Sequence, residues 1–193
     1  MPIIQMIDKN LGPSRYQALR FGLWIAMASI TMMFAALTSA YLVRKPAGNW
    51  YEFKLPFQFF ISTILIFLSS LVIEWAFQSF KKGNENSYKF GILASFLLGI
   101  SFLGSQILAW KSLTAQGITI DLTVSGSFLY ALSGIHAAHV LGGIAALMVS
   151  LLTAFLIKFE VSPMRILKFD LVRQYWHFVD ILWIYLLIFL ILQ

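Results

Sequence analysis

Residues 122–157 read LTVSGSFLYALSGIHAAHVLGGIAALMVSLLTAFLI, thirty-six consecutive positions without a charged side chain. A helix that crosses a bilayer needs about 20 mostly apolar residues. Two spans of about 18 residues would use the whole run and leave nothing for a turn. The centre, Leu141-Gly142-Gly143-Ile144, offers glycine but no polar loop. The run therefore predicts one long, tilted helix from about Gly126 to Ile157. Ser125, Gly126 and Ser127 supply its opening turn, with a Ser or Thr as cap.

Four more runs have the same character. Phe21–Val43 and Phe90–Trp110 carry no charge, Leu55–Phe80 carries only Glu74, and Gln174–Gln193 only Asp180. Lipid leaves no backbone group unpaired, so the choice is helices or a closed barrel. The apolar runs are continuous rather than alternating, which excludes barrel strands. The fold class is therefore all-α: a polytopic membrane protein with a bundle of five transmembrane helices. Its spans lie at about 21–43, 55–80, 90–110, 126–157 and 174–193. The connections are short and hold turn residues, such as Pro46, Gly48 and Asn49, or Gly83 and Asn84. The 193 residues thus form a single membrane domain, with no internal repeat.

Composition agrees. Hydrophobic residues make up 60% of the chain and charged residues 11%, against about 25% charged in soluble domains. Mean hydropathy is +0.82. No cysteine is present, which excludes disulfides, thiolate metal sites and a cysteine nucleophile. The first nineteen residues hold Pro2, Asp8, Lys9, Asn10, Pro13 and Arg15 and lack the apolar core of a signal peptide. The first span is expected to serve as its own insertion signal.

The net charge of +6 does not point to nucleic acid, because the basic residues form no tract and flank the apolar runs. Their distribution sets the orientation. The N-terminus and the second and fourth connections hold Lys9, Arg15, Arg20, Lys81, Lys82, Lys89, Lys158, Arg165, Lys168 and Arg173. The other side holds Arg44, Lys45, Lys54 and Lys111. Ten against four places the N-terminus inside and the C-terminus outside.

Polar groups inside spans are costly and mark function. All three histidines lie there. His136 and His139 are three apart and share a helix face. They cannot both bind one haem iron axially, because that needs ligands on opposite sides of the ring. The pair reads as interhelical hydrogen bonding in a packed bundle, among small neighbours such as Gly134, Ala137 and Gly143. His177 and Asp180 are also three apart, so the carboxylate is placed to hold the imidazole tautomer. Asp180 needs a partner, either His177 or a neighbouring helix. Glu74, about two turns before Lys81, reads as an interfacial acid paired with a basic residue or with the region of His177. Trp50, Tyr51, Trp110, Tyr175 and Trp176 fall near span ends and read as an aromatic belt.

Two stretches are more specific. GSFLYALSGIHAAHVLGG (126–143) and YWHFVDILW (175–183) resemble subunit III of the haem–copper terminal oxidases, the cytochrome c and quinol oxidase group. Gly126, Ser127, Gly134, His136, His139, Val140 and Gly143 fall on the first family pattern. Tyr175, Trp176, His177, Phe178, Val179, Asp180 and Trp183 fall on the second. Weaker agreement at Tyr41, Pro56, Ser62, Thr63, Trp75, Ala76 and Gln106 extends the resemblance over about residues 20–193. The chain looks like the short, five-helix form.

The resemblance implies a subunit with no catalytic, cofactor or metal site of its own. It implies haem and copper in partner subunits and bound phospholipid. Its partners would be the catalytic subunit I, subunit II, a small subunit IV and membrane lipids. The place would be a bacterial-type cytoplasmic membrane, and the role packing on subunit I and supporting proton uptake in a proton-pumping oxidase. His136, His139, His177, Asp180, Glu74 and Trp176 are the candidates for structural, proton-surface or lipid contacts. Two family acids are missing: Ala28-Ser29 stands where the family has Ser-Glu, and Ala109 where it has Glu. Glu74 is a candidate replacement for the first. Cytochrome c is favoured over quinol as electron donor. The competing readings are an independent channel or transporter and a haem-b membrane anchor.

Overall fold

A computed structural model describes residues 13–48, 50–51, 55–120 and 123–193. Lys9, Lys54, Asp121 and Leu122 lie outside the described residues. Among the described residues five helices follow in order: α1 Pro13–Arg44, α2 Gln58–Lys81, α3 Glu85–Ala115, α4 Val124–Leu156 and α5 Pro163–Leu192. A single 3-10 turn, Lys45–Ala47, follows α1. There is no strand among the described residues, and all five helices are long and apolar enough to cross a membrane. The charge-free run is one helix of 33 residues, about 50 Å long at 1.5 Å per residue. That exceeds a hydrocarbon core of about 30 Å, so it tilts or projects.

Local chemistry sets the helix ends. Asn84 caps α3 by accepting from the Ser87 N–H at 3.3 Å, after a tight turn in which Gly83 takes φ +76°. Thr123 caps α4 by accepting from the Gly126 N–H at 3.2 Å. Ser162 caps α5 by accepting from the Arg165 N–H at 3.4 Å, with Pro163 at the first helical position. α1, α3 and α5 each begin a turn or more before their expected spans, whereas α2 and α4 stay within three residues of theirs. The largest difference is α5, which begins eleven residues before Gln174. Charge bounds the part of a helix that sits in lipid, not the helix itself.

Successive helices run up and down. The start of α1 meets the start of α5 through Arg20 and Asp170 at 2.7 Å. The end of α1 meets the end of α5 through Lys45 and the Gln193 carbonyl. We call the end that holds Arg20, Lys81, Arg165 and Arg173 the basic end. The closest pair is α2 with α3. A Cβ on Gly91 would lie 2.6 Å from the Ala76 Cβ, and the Ser69 and Ser95 hydroxyls each donate to the other's carbonyl, at 3.0 and 3.4 Å. Around this pair α4 and α5 complete a core that includes Phe59, Ile66, Ile73, Phe102, Val140, Leu147, Trp176 and Trp183. The least buried helix, α1, lies outside it, packed on α5 and α4 through Phe34, Tyr41, Leu132, Leu182 and Leu186.

Candidate functional site at the basic end

Trp176 organises the site. Its indole is fully buried, and its Nε1–H donates to Ser69 Oγ at 3.1 Å. Two helices make room for the ring. A Cβ at Gly99 of α3 would come within 2.8 Å of it, and one at Gly143 of α4 within 2.9 Å. Trp176 therefore holds α2, α3, α4 and α5 at one level. It is not part of an aromatic belt, as its expected place at a span end suggested. The reason is the early start of α5, which puts this residue more than three turns inside the helix. Trp183, two turns further on, repeats the device: it stacks on Phe59 and donates to Thr63 Oγ1 at 2.9 Å.

A polar chain runs past Trp176 on the same face of α5. Asp170, 6% exposed, accepts from Arg20 at 2.7 Å, from Gln174 at 2.7 Å and from Arg173 at 2.7 and 3.2 Å. Arg173 reaches across to Glu74 of α2 and lies over the Phe77 ring at 4.4 Å. Glu74 also accepts from Gln78 at 2.8 Å and faces His177 Nε2 at 3.4 Å. The other ring nitrogen, Nδ1, lies 2.5 Å from Ser70 Oγ. Asp180, three residues further along α5, is buried. Asp180 Oδ1 has no partner among the described residues.

Both partners suggested for Glu74, a basic residue and His177, are thus present. Glu74 is engaged by α5, while Ser29 is exposed on α1. His177 engages Ser70 and Glu74, and no hydrogen bond joins it to Asp180 among the described residues. The sequence reading missed Arg20, Ser70, Asp170 and Arg173. Ser162-Pro163 was the available signal: a cap residue followed by proline marks a helix start and would have placed Asp170 and Arg173 on α5.

The histidines of α4 behave differently from the expectation. His136 is fully buried, and neither ring nitrogen has a hydrogen-bond partner among the described residues. Instead of bonding between helices, its ring packs against Trp183 at 5.1 Å, Phe102 at 5.9 Å and Phe34 at 6.4 Å between centroids. The i, i+3 spacing gives a shared face but says nothing of what covers it, and here three aromatic rings do. His139 Nδ1 contacts the Ile135 carbonyl at 2.8 Å within its own helix. Its own carbonyl accepts from the Tyr175 hydroxyl at 3.0 Å. His136→Phe is therefore expected to keep the fold, with a stability change under about 1.5 kcal/mol, because it exchanges one flat buried ring for another. A denaturation series on the purified protein checks this; loss of folded protein would show that a polar ring is required. Among the described residues no group of three or more His, Asp or Glu side chains is placed to hold a metal ion.

Comparison with known proteins agrees with this architecture. The profile of the family described as cytochrome c oxidase subunit III matches residues 12–192. The cytochrome c oxidase subunit 3 of Corynebacterium diphtheriae is 32% identical over 86% of this chain and 84% of its own. That of Bacillus subtilis is 30% identical over 86% and 81%. The probable quinol oxidase subunit 3 of Staphylococcus haemolyticus is 28% identical over 93% and 92%. With five spanning helices and a match through all of them, this multi-pass membrane protein belongs to the cytochrome c oxidase subunit III family.

Proposed function

We propose that this chain is the non-catalytic subunit III of an aerobic respiratory terminal oxidase of the cytochrome c type. It packs on the haem–copper subunit I, beside subunit II and a small subunit IV, and the haem and copper belong to those partners. The assembled enzyme reduces oxygen and pumps protons. The observation that carries this reading is the family match from residue 12 to residue 192. The interior supports it: buried polar groups such as Ser69, Gln106 and Asp170 join helices, and the outer faces are apolar, with Phe67, Leu71, Leu97, Met148 and Ile181 exposed to lipid or to a partner. Its contribution is to keep the catalytic neighbour packed and supplied with protons over many turnovers. The test is oxygen consumption by the complex with and without this chain. Similar initial rates with faster loss of activity in its absence are expected; identical lifetimes would contradict the role. Quinol oxidase is the second reading, favoured by the Staphylococcus relative. A neighbouring subunit II with copper-binding Cys and His decides for cytochrome c.

Bound phospholipid belongs to the same proposal. A groove of about 610 Å³ opens between α4 and α5 at the basic end, with Phe80, Tyr88, Val149 and Thr153 on its walls and Arg165 and Lys168 at its rim. Apolar walls below two cations suit acyl chains under an anionic headgroup. Arg165→Gln with Lys168→Gln is expected to lower the anionic phospholipid that co-purifies with the protein, read by mass spectrometry of extracted lipid. Unchanged lipid would remove the groove from consideration.

The basic end faces the cytoplasm in this reading. The absence of native cysteine makes the orientation simple to test. Lys111→Cys is expected to react with an impermeant maleimide in intact cells, and Lys81→Cys only after the membrane is opened. The reverse pattern would invert the topology.

A further inference from the structure

We infer that Gln106 of α3 and His136 of α4 hold one water molecule between them in the interior of the bundle. Both side chains are closed off from solvent and lipid, at 1% and 0% exposed. Gln106 Oε1 and both ring nitrogens of His136 have no hydrogen-bond partner among the described residues. Unpaired polar atoms are costly in such a place.

The register of α3 and α4 puts the two side chains at one level. Trp110 of α3 donates to Ser133 Oγ of α4 at 3.0 Å. The Phe102 ring of α3 meets the His136 ring at 5.9 Å between centroids. The two helices run in opposite directions. One turn from Trp110 toward Phe102, and one turn onward from Ser133, therefore reach Gln106 and His136 together. Both residues belong to the buried faces of their helices. Ala109 and Ala137 beside them are buried and end at Cβ, which leaves room near the pair.

The neighbouring donors are already spent. Ser62 Oγ donates to the Phe59 carbonyl at 2.8 Å and accepts from Gln106 Nε2 at 3.0 Å. That bond fixes the amide and leaves Oε1 as its free acceptor. Ser133 Oγ donates to the Leu129 carbonyl at 2.7 Å, and Thr63 Oγ1 to the Phe59 carbonyl at 2.8 Å. The indole N–H groups of Trp110 and Trp183 go to these same two hydroxyls. Nor do the rings around His136 serve its nitrogens. Trp183 lies 31° from the imidazole plane and covers a face, whereas the nitrogens sit on the edge. One water answers both needs. It donates an O–H to Gln106 Oε1, and it either accepts an N–H of His136 or donates to a bare ring nitrogen, so either neutral tautomer is served. Two polar partners suffice to hold a buried water. A hydrogen-bonded path then runs from Ser62 of α2 through Gln106 to α4, at a layer where Trp183 ties α5 to α2.

A density map of the assembled complex, fine enough to show ordered water elsewhere in the bundle, tests this. A peak is expected within hydrogen-bonding distance of both Gln106 Oε1 and one nitrogen of His136. No peak there, or a direct bond between the two side chains, would overturn the inference. Denaturation of the full chain gives a second test. Gln106→Leu takes one partner from the water and His136→Phe takes the other, so each single variant strands a polar group that the double variant removes. The folded-to-unfolded ratio of the double variant is expected to exceed the product of the single effects by about tenfold, the scale of one buried unpaired group. Independent effects would also overturn the inference. The wild-type map stands where a variant fails to assemble. The water site belongs to this chain, so its failure leaves the oxidase assignment untouched.

Discussion

Trp176→Ala is expected to lower stability by about 3–5 kcal/mol, the range for removing a large buried aromatic. In lipid the transfer of apolar surface contributes little, because the solvent is itself apolar. Packing and hydrogen bonding decide here. The indole fills a space that Gly99 and Gly143 leave open, and its N–H occupies Ser69. Alanine leaves that space empty between four helices. Gly143→Leu attacks the same contact from the other side, since even a Cβ there would come within 2.9 Å of the ring. Each single variant is expected to reduce the amount of folded chain recovered in mild detergent and its resistance to denaturation. Because the two residues touch, their effects should not add. Trp24→Ala serves as the control: that ring is exposed on α1, and no loss is expected. Equal behaviour of Trp176→Ala and Trp24→Ala would mean that the seat does not hold the bundle.

Asp170→Ala is expected to cost on the order of 2 kcal/mol, the scale of losing hydrogen bonds to a charged group. The carboxylate is nearly covered and takes hydrogen bonds from Arg20, Arg173 and Gln174. Arg173 retains Glu74 after the substitution, but Arg20 loses its ion pair. The helix most affected is α1, whose polar contacts with α5 toward the other end, among the described residues, are Thr38 with the Tyr185 hydroxyl at 2.9 Å and, just past α1, Lys45 with the Gln193 carbonyl. Hydrogen exchange should rise in the first turns of α1 while the core of α2 and α3 stays protected. By contrast, Glu85→Ala, which removes an exposed i, i+4 pair with Lys89, should cost no more than about 0.5 kcal/mol. If Asp170→Ala matches Glu85→Ala, the carboxylate does not anchor α1.

The spans were legible because lipid imposes one rule on every residue of a segment, and five charge-free or nearly charge-free runs satisfy it. The unbroken fourth helix followed from the same rule at Leu141–Ile144. What composition does not encode is which faces meet. Glu74 and His177 were readable as a possible pair only because both lie about the same depth from one end. Ser70 was invisible, since a serine in a span ordinarily bonds its own helix, as Ser62 does with the Phe59 carbonyl at 2.8 Å. Asp170 and Arg173 were assigned to a connection because charge was taken to end the helix. The same error put Trp176 at the interface. His136 shows the opposite failure: a polar residue in a span suggests a partner, but an imidazole is also a flat ring, and here it packs as one.

Isolation of this chain through an affinity tag, in mild detergent from its own membranes, tests the central claim most directly. The eluate is expected to contain a haem–copper subunit in equal amount, to show its reduced haem spectrum and to consume oxygen. The chain separated from that complex should then carry no haem absorbance. A chain that elutes alone, with a transporter, or with its own haem would contradict its place as subunit III of a terminal oxidase.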